Sequence, residues 1–124
     1  MRETRFWTWH LIAGAVVLVF LGLHMLIMHL DGIVGFMDPG GAESVEWENV
    51  MHRAQFLFFT VTYIVLLGAA LYHGLYGTRV LLFELNLKPA LQQLVTIGLW
   101  AVGLLLFGLG TVANIVIHMN RISA

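Results

Sequence analysis

Three apolar segments dominate this chain, and each is long enough to cross a bilayer. They run from about Phe6 to Leu30, from about Ala54 to Val80 and from about Pro89 to His118. A hydrocarbon core takes roughly 20 apolar residues of helix to span. Inside it every backbone polar group must find its partner within the protein. Of the 124 residues, 60% are hydrophobic and 10% charged, and the mean hydropathy is +0.88. That balance is wrong for a soluble domain. The expected fold is all-α and integral to a membrane: one domain over residues 1–124 with three transmembrane helices.

The charged residues then set an expected orientation. Arg2 and Arg5 precede the first span, and Arg79 and Lys88 bracket the short second connection. The longer first connection, from Asp31 to His52, carries Asp38, Glu43, Glu46 and Glu48 and no Lys or Arg. By the positive-inside rule the N-terminus and the second connection lie in the cytoplasm of a bacterial or archaeal cell. The acidic connection and the C-terminus lie outside. Trp7, Trp9, Trp47, Tyr72 and Tyr76 fall near span ends, where amphipathic rings sit at headgroup level. Pro89 suits the first turn of the third helix, where its missing N–H costs little. Asp38–Gly41, DPGG, is a turn cluster without a domain boundary. The opening MRETRFW has no small-residue cleavage site after a short apolar core, so it is not read as a removable signal.

Several chemistries drop out at this point. The chain has no cysteine, so it holds no disulfide, iron–sulfur cluster or thioether-linked haem. A formal net charge of −1 gives no reason to expect nucleic-acid binding. The glycines of the second and third spans, among them Gly74, Gly77, Gly98, Gly103, Gly108 and Gly110, mark places where helices can approach closely.

What remains is histidine, six in all, equal in number to Lys plus Arg. The richest stretch is Leu71–Glu84, LYHGLYGTRVLLFE. At about 100° per residue, His73, Gly77 and Glu84 share one helix face. An ionisable residue within a span needs a partner or a task, and a haem iron, which takes His axially, supplies both. Arg79, near the helix end, is suited to bidentate contact with a propionate or to anchoring the span. On the first helix His10, Val17, Leu21, His24 and Met28 form one stripe. His24 lies about 26 Å beyond Trp7 and His73 about 9 Å above Arg79, at 1.5 Å per residue. The two are thus about 15 Å or more apart in depth, too far for one iron. His10, His29, His52 and His118 are expected near the membrane interfaces.

The segment His73-Gly-Leu-Tyr-Gly77-Thr-Arg79, with Glu84 following, resembles the H-x-x-x-G-x-R…D/E signature of the membrane anchors of succinate dehydrogenase and fumarate reductase. Leu23-His24-Met-Leu-Ile-Met28-His29-Leu-Asp-Gly32 is similar to the end of the first helix in that family. The resemblance implies an anchor (cytochrome b) subunit of a succinate:quinone oxidoreductase, part of a multi-subunit haem-binding bundle. Its partners would be a second membrane anchor subunit, an iron–sulfur subunit and a flavoprotein. It implies haem b, one or two, shared with the partner anchor, with His73 and His24 as axial ligands and Gly77 and Arg79 beside the cofactor. It also implies a quinone site near the cytoplasmic side, to which His10, Trp9 and Glu84 are the candidate contributions. The acid is Glu84 rather than the commoner Asp, and Leu85 stands where some members carry a quinone-contacting Tyr. Two other functions fit the residues: a b-type cytochrome subunit of another quinone-linked dehydrogenase, and a cofactor-free membrane scaffold.

Overall fold

The helices begin and end where the side chains change character. A computed structural model describes residues 2–29 and 46–122, and every regular element among them is α-helical. Helix α1 covers Arg2–His29, α2 covers Trp47–Ala54, α3 covers Leu57–Phe83 and α4 covers Pro89–Ile122. Helices α1, α3 and α4 are long and apolar enough to cross a membrane, over Thr4–Leu26, Leu57–Phe83 and Pro89–Met119. The all-α membrane fold is therefore what the chain adopts. The turn at Asp38–Gly41 and the acids Asp38 and Glu43 lie outside the described residues.

Two boundaries differ from expectation, each for a local reason. Residues 47–54 form the separate short helix α2, polar where the spans are apolar. It ends as Gln55 N–H and Phe56 N–H donate to His52 O and Arg53 O at 3.2 and 3.0 Å. Phe56 is then extended (φ −83°, ψ 133°), and α3 starts at Leu57 rather than near Ala54. Thr60 pins the corner: its buried hydroxyl donates to Ala54 O at 3.0 Å and to Phe56 O at 3.2 Å. At the other end α3 continues past Val80 to Phe83. Asn86 takes a left-handed conformation, φ 51°, as Asn tolerates better than most residues, and Pro89 opens α4. Glu84 and Lys88 therefore lie on either side of the turn.

Helix α3 is the central element. Helices α1 and α4 both pack along it and make no comparable interface with each other, and α2 touches α3 and α4. Cross-contacts run antiparallel on both sides. Phe6 and His10 meet Tyr72 and His73, while His24 meets Tyr63. Thr96, Gly103 and Gly110 meet Arg79, Leu75 and Leu67. The start of α1 and the α3–α4 turn thus share one end of the bundle. Helix α2, His24 and His118 share the other, where His118 Nδ1–H donates to Gln55 O at 2.7 Å.

Almost none of the three spans is buried within the chain. Their apolar surface must be covered by lipid or by another chain, as in membrane bundles where association rests on close packing rather than on burial from water. The glycines serve that packing on the inner faces. A Cβ on Gly103 would meet Leu75 Cδ1 at 2.6 Å, and one on Gly110 would collide with Leu67 Cδ2. Gly22, Gly74, Gly98 and Gly108 have open space around them. Arg53, on the short helix, and Thr60 are buried polar residues, and Arg53 has none of its surface exposed.

Candidate functional site

Where α1 crosses α3, two histidines meet over two glycines. His10 and His73 stack face to face, with centroids 4.2 Å apart and ring planes 2° from parallel. Each ring lies over the glycine one turn along the opposite helix. A Cβ on Gly14 would stand 2.9 Å from both Cε1 and Nδ1 of His73, and one on Gly77 would stand 3.3 Å from Cε1 of His10. The spacing is the same on both helices, His10-x-x-x-Gly14 and His73-x-x-x-Gly77, and the antiparallel crossing makes the clasp reciprocal. Gly77 thus does sit beside a histidine, but the histidine is His10.

A hydrogen bond settles the tautomer of His73. Its Nδ1 lies 3.1 Å from the backbone oxygen of His10, and a carbonyl can only accept, so Nδ1 carries the proton. In the neutral ring Nε2 then holds the lone pair. This is the arrangement typical of a metal-bound histidine, whose other nitrogen donates to a carbonyl or carboxylate. The ring borders a cleft of about 430 Å³, whose other walls include Trp7, His10, Gly74, Gly77 and Leu81. Gly74 and Gly77 leave that wall without side-chain bulk.

Two tyrosines extend the cluster. Tyr76 is tilted against His10 at 5.2 Å and stacks on Tyr72 at 5.8 Å, and the Tyr72 hydroxyl donates to Phe6 O at 3.0 Å. The aromatic ladder therefore fastens the first turns of α1 to the last turns of α3. His10 is part of it, and its Nδ1 is buried in the crossing.

These groups fit one half of a haem site. Axial imidazoles stand on opposite faces of the macrocycle with their nitrogens pointing at the iron. Rings stacked flat at 4.2 Å leave no room for a macrocycle between them, so His10 and His73 are not an axial pair. His73 keeps Nε2 free of the carbonyl bond, as an axial ligand of such a group would require. Among the described residues no group of three or more His, Asp or Glu is placed to hold a metal ion alone.

The remaining expected residues do not converge on His73. His24 is half-buried at the other end of the α1–α3 interface, edge-on to Tyr63 at 6.0 Å. Tyr63 and His73 are separated by about 15 Å along α3 at 1.5 Å per residue, which matches the depth gap expected from the sequence. Arg79 points to the opposite side of α3. Its Nε donates to Thr96 Oγ1 on α4 at 3.2 Å, and its guanidinium lies 4.4 Å over the Phe83 ring. Trp9 is 61% exposed, and Glu84 is exposed beyond the end of α3. Neither lines the cleft beside His73.

A second concavity was not anticipated. Between α3 and α4 lies an apolar groove of about 240 Å³ whose walls include Gly68, Tyr72, Tyr76, Trp100 and Phe107, with Arg79 and Thr96 at one end. Gly68 makes room for it on α3, where the Phe107 ring approaches to 3.2 Å of the missing Cβ. The small residues of the third span hinted at close approach there, but nothing in one helix's pattern showed which side Arg79 would take. Comparison with protein-family models, with characterised proteins and with solved structures finds no match for the chain.

Proposed function

We propose that this chain is a membrane anchor subunit of a succinate:quinone oxidoreductase, or of a fumarate reductase running the reverse reaction. On this reading it holds haem b through His73. The observation that carries the proposal is the bond from His73 Nδ1–H to the His10 carbonyl, which leaves the lone pair on Nε2 of a ring that borders a glycine-walled cleft. It is supported by the signature running from His73 to Glu84. Haem bound there would supply a one-electron relay between the iron–sulfur subunit and quinone. The chain's own part is to orient the ligand, exclude water from it and hold the soluble subunits at the membrane.

The open cleft needs a second wall, which a partner anchor with its own histidine would supply. Electrons would enter from the end of the bundle carrying Arg5, Arg79 and Lys88, which the positive-inside rule assigns to the cytoplasm. The groove between α3 and α4 suits a quinone better than Trp9 and Glu84 do. It is apolar along its length for an isoprenoid tail, with the Arg79 guanidinium at one end. His24 is the candidate for a second, distal haem.

The purified complex tests this directly. The expected composition includes a flavoprotein, an iron–sulfur subunit and a second anchor. The expected reduced-minus-oxidised spectrum is that of b-type haem, lost in His73→Ala. Other soluble partners with the same spectrum would make the chain a cytochrome b subunit of another quinone-linked dehydrogenase. A colourless complex would make it a scaffold.

A further inference from the structure

Three restraints act on the His73 ring, and two of them come from one residue. The His10 carbonyl takes the Nδ1 proton at 3.1 Å. The His10 imidazole covers one face of the ring at 4.2 Å and 2°. The third restraint is the Gly14 backbone, close enough that one added methyl would touch the ring edge at 2.9 Å. His73 is thus fixed in tautomer by a backbone atom of His10 and in ring plane by its side chain.

His10 is itself held. Gly77 lies under it at 3.3 Å from the position of an added Cβ, and Tyr76 leans on its other side. Its own Nδ1 is buried, and its imidazole presents a flat face to His73. An imidazole free to turn about its Cβ–Cγ bond would sample a broad range of planes. One pressed against a parallel ring would not.

We infer that His10 is the positioning residue of His73: its carbonyl selects the Nδ1–H tautomer, and its imidazole sets the plane in which His73 meets a haem iron. This rests on the reading of His73 as an axial ligand. Groups that orient a ligating histidine commonly change metal affinity by about 10- to 100-fold when removed, and they tune the electronic properties of the centre. His10 would do so without touching the iron.

The test uses the intact complex with His10→Leu, His10→Phe and Gly14→Ala, read by the low-temperature electron paramagnetic resonance of the ferric haem and by its midpoint potential. His10→Leu keeps bulk and removes the flat face, and the expected result is a shifted or broadened low-spin signal with haem retention down about 10-fold. His10→Phe restores the flat face and is expected to restore the wild-type signal. Gly14→Ala leaves His10 intact but pushes the ring, and is expected to shift the signal as His10→Leu does. A wild-type signal, potential and haem content in His10→Leu would overturn the inference while leaving His73 as ligand.

A second measurement stands apart from haem. In the haem-free chain, ¹⁵N-histidine NMR is expected to show His73 as the Nδ1–H tautomer in the wild type and in His10→Leu alike, because the substitution keeps the backbone carbonyl. An Nε2–H tautomer in the wild-type chain would overturn the inference. Haem retained in His73→Ala would instead sink the ligand assignment on which it rests.

Discussion

Replacing Gly14 with alanine puts one methyl group where His73 already is. The new Cβ would stand 2.9 Å from Cε1 and Nδ1, whereas ordinary contact begins at 3.4 Å. The ring must therefore retreat by about 0.5 Å, and it is not the loose end of a flexible chain. His10 covers one of its faces, and its Nδ1–H is bonded at 3.1 Å. A bond stretched to about 3.6 Å no longer counts as one. Overpacking of this kind costs about 1–3 kcal/mol, and loss of the hydrogen bond adds about 0.5–1.5 kcal/mol. The expected destabilisation of the α1–α3 pair is thus about 1.5–4.5 kcal/mol. The control is Gly22→Ala on the same helix, where nothing lies within 4 Å, and its expected change is within about 0.5 kcal/mol. Unfolding the purified chain in mixed detergent and dodecyl sulfate micelles, followed by tryptophan fluorescence and circular dichroism, measures both. Equal midpoints for the two variants would refute the clasp geometry.

Further expectations follow from the same contacts. Gly77→Ala approaches His10 at 3.3 Å rather than 2.9 Å, so in the same unfolding assay it should cost less than Gly14→Ala, about 1 kcal/mol. His10→Phe keeps the stack and removes a buried nitrogen. It should leave stability unchanged or raise it by up to about 1 kcal/mol, and a loss above 2 kcal/mol would mean the nitrogen has a partner. Thr60→Val removes the hydroxyl that closes the α2–α3 corner onto Ala54 O. A cost of about 1 kcal/mol should accompany faster amide exchange at Gln55 and Phe56, with no change in the rate for the His73 region.

The spans were legible because apolar length is a property of the chain itself. Their ends were less so. Phe83 rather than Val80 ends α3 because Asn86, not the arginine three residues before Leu82, supplies the turn. Helix α2 was hidden within a connection that reads as acidic and polar, although Trp47, Val50, Met51 and Ala54 recur at helical spacing there. The partner of His73 was the larger omission. A helical wheel shows which residues share a face but not what lies across from it. The equal His-x-x-x-Gly spacings in α1 and α3 were the one available signal. The separation of Arg79 from His73 was also readable: six residues carry the chain about 600° around the helix, which leaves them about 120° apart. The fully buried Arg53 had no such signal, because its burial depends on how α2 folds against α3 and α4.

The most direct test of the central claim is a haem count on the assembled complex, by pyridine haemochrome, for the wild type, His73→Ala and His24→Ala. The expected result is b-type haem in the wild type and loss of one haem in His73→Ala. His24→Ala should either remove a second haem or leave a single one untouched. Bis-histidine haem b at wild-type stoichiometry in His73→Ala would contradict it.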